Sequence, residues 1–327
     1  MQANDLQAAL TAIAPQLGGT AITGLRRLSG GASQETWAFS LDTGRPLILR
    51  RKPPGTGSVT GLATPLATEA ALIRAAAKQG APVPEVLAIC DPGSDVGEAY
   101  VMAAVEGETL GKRIARDDNF AAIRPKLAFQ CGEALAKIHA IPLDESLPPL
   151  NRSSALDELA KYEAVYRTLD ARRPIFEAAF KWLKDKAPPL ERPVMLHGDF
   201  RNGNLMFSPR TGLAAVLDWE LVHIGDPAED MGWICTASWR FGGAKPVGGF
   251  GDYADLLAGY EAAGGAPIAL ERVLYWQMLG SLKWGCMCLG MYASFANGTD
   301  PSVERAMIGR RTSETEIDLM ALLERAQ

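Results

Sequence analysis

Three polar side chains in the stretch HGDFRNGNLMF (197–207) and the following VLDWE (216–220) have the types and spacing needed for chemistry. Asp199 precedes Asn204 by five positions, and Asp218 follows Asn204 by 14. A carboxylate on a short rigid loop can take the proton of a reacting hydroxyl, help worth about 10²–10⁴ in rate. An amide oxygen paired with one further carboxylate suits magnesium, which takes few protein ligands and fills its octahedron with water and phosphate oxygens. The segment LMFSPRTGLAAVLDW reads as strand, turn at 209–212, strand, and such a hairpin returns Asp218 to the neighbourhood of Asn204. Taken alone, an Asp or Asn here would be read as a turn cap. Here the spacing, the His-Gly lead and a strand ending in Asp coincide. A hydrolytic metal centre built on His197 and Asp199 would need further imidazoles, and the chain has only His139, His197 and His223.

The D-x-x-x-x-N … D spacing is that of a kinase catalytic loop. With HGD where protein kinases read HRD, the chain resembles the aminoglycoside phosphotransferase and choline kinase group of small-molecule kinases. The likeness runs from about residue 28 to the C-terminal IGRRTSETEIDLM. Within the group it looks most similar to the branch related to the kinase domains joined to some acyl-CoA dehydrogenases. The resemblance implies ATP as co-substrate, magnesium as cofactor, Asp199 as catalytic base, and Asn204 and Asp218 as metal ligands. It implies transfer of the γ-phosphate to a hydroxyl of a small molecule, aminoglycoside-like or of hydroxyacyl type. The alternative is a nucleotide-binding pseudokinase or regulatory module without turnover, which would be supported only by Arg50.

Upstream, LSGGASQETWAF (28–39) reads as strand, Gly-Gly turn, strand. Gly30 and Gly31 let a backbone approach phosphates and Ser33 can donate to them, although a Gly-Gly hairpin is usually no more than a hairpin. Within the kinase frame, the strand LILR (47–50) puts Arg50 where lysine normally binds the α/β-phosphates, with Glu69 of the next helix as its partner. Guanidinium binds phosphate too, but its reach and planarity differ from those of ammonium. The competing choice is Arg51 or Lys52, with strand alternation pointing Arg51 away from both neighbours. By the resemblance alone, AYVMAAVEG (99–107) is the interlobe hinge, offering the Ala103 C=O and the Val105 N–H to adenine. His197 reads as fixing the loop's shape through backbone, and His139 as a core or cap histidine. Asp226 and Asp230 read as acids favoured by a helix N-terminus; the resemblance adds that the G-D-P-x-x-D segment ties the helical lobe to the catalytic loop.

The elements that must position these residues divide the chain in two. Strand-like runs fill 20–52 and 82–107, around a helix over 64–79 that ends at Gly80 and a small, polar loop at 56–64. Helices follow, over 121–139, 156–166, 175–186 and 251–263 onward, interrupted by the 205–218 hairpin. This is an α+β pattern of a small β-rich lobe and a larger helical one, and the resemblance implies a bilobal, protein-kinase-like fold with a nucleotide-binding lobe at 1–106 and a helical lobe with the acceptor site at 107–327. The 327 residues, 47% apolar, can bury a large core, and a net charge of −5 argues against a nucleic-acid partner. The opening segment lacks the basic start and apolar run of a signal peptide. The 13-residue apolar run 284–296 falls short of the roughly 20 residues of a spanning helix and reads as a core helix. Five cysteines without C-x-x-C pairs suit a reducing, cytoplasmic setting. The resemblance implies a small-molecule hydroxyl acceptor as partner; no membrane partner is expected, and the expected state is a monomer or homodimer. The charges of the helical lobe (Asp252, Asp255, Glu261 and Glu229 against Arg240, Lys245, Lys283, Arg310 and Arg311) do not select a cationic acceptor. Trp233, Trp239, Trp276, Trp284, Met287 and Met291 can line an apolar pocket, though at helical spacing most read as core.

Overall fold

The computed structural model describes residues 3–28, 34–53, 64–145, 147–169 and 171–326; Gly30, Gly31, Ser33 and most of the expected loop at 56–64 lie outside them. The first part of the chain forms β1 (Ile22–Arg27), β2 (Glu35–Leu41), β3 (Pro46–Arg51), β4 (Val86–Cys90) and β5 (Ala99–Ala103). They pair antiparallel in the order β1-β2-β3-β5-β4. Alternation sorts the side chains. Leu47, Leu49 and Val101 face a buried cluster with Leu6 and Leu10 of α1 (Ala3–Ile13), each such side chain contributing about 1.5–3 kcal/mol on burial. On the opposite face Arg50 stands directly across from Tyr100. That face is covered by α2 (Leu66–Lys78), which buries Leu66, Ala70 and Ile73 and, unusually for an acid, Glu69.

The rest is mainly helical: α3 (Gly111–Arg116), α4 (Arg124–His139), α5 (Ala155–Thr168), α6 (Pro174–Asp185), α7 (Ala228–Cys235), α8 (Tyr253–Ala262), α9 (Leu270–Ala296), α10 (Val303–Gly309) and α11 (Thr312–Arg325). The architecture is α+β and bilobal, a small sheet lobe beside a larger helical one. The apolar run 284–296 is only the second half of α9, which spans 27 residues and packs against α5, α6, α7, α10 and α11. Its first half carries Glu271, Arg272 and Gln277, so the helix is longer than its uniformly apolar part. Among the described residues no helix is long and apolar enough to cross a membrane. At the α7–α9 contact the helices approach so closely that a Cβ on Gly232 would lie 2.5 Å from the Trp276 carbonyl carbon.

Two short antiparallel pairs carry the loops of interest. Strand β7 (Leu205–Ser208) pairs with β8 (Gly212–Val216), which is the expected hairpin. Strand β6 (Val194–Leu196) pairs with β9 (His223–Gly225), a ladder of three residues a side and too short to leave a period in the sequence.

Candidate active site

Residues 197–204 connect β6 to β7, and their shape is dictated by one buried acid. Asp230, in the first turn of α7 and fully buried, accepts the His197 N–H at Oδ2 (2.8 Å) and the Gly198 N–H at Oδ1 (2.9 Å). His139 Nε2 lies 3.2 Å from the same Oδ2, while its Nδ1 meets the Tyr260 hydroxyl at 3.0 Å. Burial alone would raise the Asp230 pKa; the hydrogen bond and charge of His139, with the His197 amide, outweigh it and hold it below the usual carboxylate range. The helix-dipole reading of Asp230 is therefore too small. It grips the loop, whereas Asp226 at the same helix start takes Arg272 Nε at 2.7 Å and the Ala228 N–H at 3.0 Å. Gly198 sits at φ 79°, and a Cβ there would run into the Leu221 carbonyl oxygen, so the turn admits only glycine.

His197 is fully buried and burial lowers its pKa, against the pull of Asp230 and Asp199. Its Nε2 is 3.0 Å from the Leu217 carbonyl, and its Nδ1 is 3.2 Å from the Asp199 backbone N–H. The neutral ring must therefore carry its proton on Nε2, donate to Leu217 and accept from Asp199. One ring thus joins the loop to the end of β8. The Trp219 ring, also fully buried, meets it edge-on at 5.1 Å.

The loop presents Asp199 and Asn204 together. Asn204 Nδ2 donates to Asp199 Oδ2 (2.6 Å) and to the Asp199 carbonyl (3.0 Å). With the amide nitrogen so committed, the Asn204 side-chain oxygen is the atom left for a ligand. The Leu217 N–H donates to the Asn204 carbonyl at 2.8 Å, which fixes the neighbouring Asp218 beside Asn204. Asp218 itself takes the left-handed region at φ 65°, a conformation costing on the order of 1–3 kcal/mol in a non-glycine residue. Asp199 Oδ1 accepts two more bonds that the sequence did not reveal, from Arg201 Nε (2.9 Å) and Trp233 Nε1 (2.7 Å).

Arg50 reaches across from β3 to the same place. Its Nη2 donates to Asp218 Oδ1 at 2.6 Å, its Nε stands 3.4 Å from Glu69 Oε2, and Glu220 Oε2 lies 3.8 Å from the fork. Tyr100 donates to Glu69 Oε2 at 3.2 Å. Lys52, by contrast, faces Glu98 at 3.5 Å, and Arg51 lies buried on the other side of the strand. Three carboxylates share one guanidinium, leaving excess negative charge at a buried place. Burial, helped by the charges of Asp218 and Glu220, outweighs the pull of Arg50 and pushes the Glu69 carboxyl up to about 8. At the end of β5 the Ala103 N–H is held by the Glu85 carbonyl (2.9 Å) and the Ala104 N–H by the Pro46 carbonyl (3.1 Å), so sheet pairing stops just before Val105. Of the expected site residues, Asp199, Asn204, Asp218, Arg50 and Glu69 come together, Ala103 and Val105 lie at the lobe junction, and Gly30, Gly31 and Ser33 fall outside the described residues.

A five-stranded lobe on a helical one, with a loop offering Asp and Asn and a hairpin returning a second Asp, defines a protein-kinase-like phosphotransferase. The sequence profile of the phosphotransferase enzyme family matches residues 24–272, and the chain belongs to that family, whose members are ATP-dependent kinases of small molecules. Among curated proteins it is 30% identical over 239 residues to acyl-CoA dehydrogenase family member 10 of Mus musculus, covering 67% of this chain and 21% of that protein. It is 27% identical over 324 residues to family member 11 of Gallus gallus, covering 90% of this chain and 40% of that one. The chain thus spans well under half the length of these relatives. Among solved structures, a choline/ethanolamine kinase family protein from Mesorhizobium loti shares the fold with TM-score 0.67 and 22% identity, over 99% of this chain and 95% of that one. Aminoglycoside phosphotransferase APH(4)-Ia, solved with AMP-PNP and hygromycin B, matches with TM-score 0.62 and 16% identity over 98% of both chains.

Asp230→Ala leaves two backbone N–H groups unpaired at about 1–3 kcal/mol each. Urea denaturation should therefore show a loss of at least ~2 kcal/mol, while Asp252→Ala, which removes an exposed ion pair, leaves the midpoint in place. Glu69 supplies a pH test. A carboxyl with its folded pKa raised from 4.5 to about 8 binds protons more readily when folded, so its contribution is full in acid and fades as pH rises through that window. Against Glu69→Gln, which mimics the neutral form, the wild type should lose stability steadily over those pH values; parallel curves would contradict the raised pKa.

Proposed function

We propose that the chain transfers the γ-phosphate of ATP to a hydroxyl of a small molecule. The observation that supports this reading is the bonded set Asp199–Asn204–Leu217, which brings the Asp199 carboxylate, the Asn204 amide and Asp218 together, with Arg50 of the sheet bonded to Asp218. Asp199 is the proton acceptor. As the acceptor oxygen forms its bond to the γ-phosphorus and the bond to the ADP oxygen breaks, the hydroxyl proton passes to Asp199. Magnesium fits the remaining donors, one amide oxygen from Asn204 and one carboxylate from Asp218, and when bound it neutralises charge on the phosphate oxygens. Arg50 grips the α/β-phosphates, positioned by its bond to Asp218 and its contact with Glu69. Gly30, Gly31 and Ser33, which lie outside the described residues, are the further proposed phosphate-binding residues, and the Ala103 C=O and Val105 N–H those for adenine. The lobe boundary falls near 106–107.

The acceptor belongs to the aminoglycoside-like or hydroxyacyl classes. The complex of APH(4)-Ia with a nucleotide analogue and hygromycin B supports a nucleotide and an acceptor meeting in this fold. Among the described residues all five cysteines are free thiols, which supports a reducing cytosol as the compartment. A pseudokinase finds no support in Arg50, because its fork touches both Asp218 and the helix acid. Measuring ADP release across a library of hydroxyl compounds tests the proposal, and no stimulation by any of them, with Mg-ATP bound, would favour the pseudokinase.

Asp199→Asn should abolish turnover and leave nucleotide affinity nearly unchanged; a loss below about tenfold, roughly 1.4 kcal/mol, would remove its role as base. Asp218→Ala should lose magnesium-dependent ATP binding by calorimetry, since a charged ligand is gone. Arg50→Ala should raise the KM for ATP and lower kcat together, and Arg50→Lys should restore only part of both, because an ammonium is shorter in reach and lacks the planar fork. Wild-type kinetics in Arg50→Ala beside a crippled Lys52→Ala would move the phosphate role to Lys52.

A further inference from the structure

We infer that Trp233, held beneath the ammonium of Lys283, is the positioning residue that aims the catalytic carboxylate: its indole N–H clamps Asp199 Oδ1 so that Oδ2 meets the acceptor hydroxyl. The inference rests on Asp199 being the proton acceptor and adds which oxygen acts and what orients it. An ionised carboxylate offers about four acceptor sites, two on each oxygen. Arg201 Nε and Trp233 Nε1 fill both sites of Oδ1 at 2.9 and 2.7 Å, and Asn204 Nδ2 fills one site of Oδ2 at 2.6 Å. One site remains, on Oδ2, and it is the one open to a substrate proton.

The clamp is built rather than incidental. Three other buried indoles, Trp239, Trp276 and Trp284, have no protein hydrogen-bond partner for their N–H, whereas Trp233 is spent on the one carboxylate of the catalytic loop. Its ring is fixed edge-on against Trp239 at 5.1 Å, and Trp239 in turn carries the Arg201 guanidinium on its face at 4.4 Å. Both donors to Oδ1 thus spring from a single aromatic stack, which Trp284 closes at 4.8 Å.

Lys283 supplies the second component. It is 8% exposed and its ammonium sits 4.6 Å from the Trp233 ring centroid and 5.5 Å from that of Tyr162, with no ion pair within 4 Å among the described residues. A buried cation on an indole face withdraws π-density and makes the ring N–H a stronger donor. Glu158, Glu229 and Asp199 are near enough to stabilise the charged form, against burial. The sequence lists Trp233 and Lys283 fifty positions apart, on α7 and α9, with nothing to connect them.

The test needs no identified acceptor, because with Mg-ATP alone water takes the hydroxyl's place and ADP release is measured. Trp233→Phe removes the indole N–H together with the pyrrole half of the ring, while keeping an aromatic face toward Trp239 and Lys283. It should lower kcat at least tenfold, in line with a hydrogen bond to a charged group, with the KM for ATP unchanged within twofold. Lys283→Met should lower kcat in the same sense, and Lys283→Arg, which keeps a cation on the ring, should recover most of it. An independent readout is the ¹⁵N-labelled indole resonance assigned through Trp233→Phe, which lies downfield in the wild type and moves upfield in Asp199→Ala. A wild-type kcat in Trp233→Phe, a fall in kcat matched by a proportional rise in KM, or an indole resonance indifferent to Asp199→Ala would each overturn the proposal. Wild-type ADP release by Asp199→Asn would instead strike the reading of Asp199 as base, and the positioning role with it.

Discussion

A carboxylate without access to water must be paired, and Asp230 meets that demand with the backbone of the loop that carries Asp199. Everything else at the site inherits its place from that bond. The His197 and Gly198 amides are pinned, the glycine turn is held open, and the chain enters the 199–204 segment in one direction. His139 and Tyr260 lock the acid from behind, so α4 and α8 are committed to the same point. Removing the acid would leave the loop's amides unpaired, which is why a residue remote from any reacting atom sets the geometry of the site.

The second constraint runs between the lobes. Arg50 belongs to the sheet, Glu69 to the helix on its face and Asp218 to the hairpin of the helical lobe, and the guanidinium touches all three elements. Lysine would bring a compact ammonium of shorter reach; the guanidinium fork bonds Asp218 and still stands 3.4 Å from Glu69. The arrangement concentrates negative charge in a dry place, and the raised pKa of Glu69 is its cost. On the proposed role of Arg50, an incoming triphosphate would bring further negative charge to this guanidinium, and nucleotide binding and the pairing of the lobes would draw on the same group.

Much of this was legible because the decisive residues sit close together in the chain. Asp199, Asn204 and Asp218 are joined by a loop and a hairpin whose turn residues announce themselves, and β3 and α2 follow from alternation and periodicity. What stayed hidden is what depends on distant partners. By its residues alone Asp230 read as an ordinary acid at a helix start; the resemblance tied its segment to the catalytic loop, but nothing in GDPAEDMGW tells which amides, more than 30 positions earlier, it holds. Trp233 looked like core, and is core on its ring; only its N–H is directed at Asp199. Arg201 lies inside the motif, yet its bond to Asp199 emerges only once Trp239 is folded beneath it. The β6–β9 ladder was invisible for a different reason, being too short for any period.

The central claim is a division of labour: Asn204 and Asp218 hold the metal, and Asp199 faces the acceptor. A crystal structure with magnesium and a non-hydrolysable ATP analogue tests it most directly. The account predicts a metal whose protein ligands are the Asn204 amide oxygen and the Asp218 carboxylate, with Arg50 on the α/β-phosphates and Asp199 Oδ2 open toward the γ-phosphate. A metal ligated by Asp199, or a nucleotide bound away from Arg50, would contradict it.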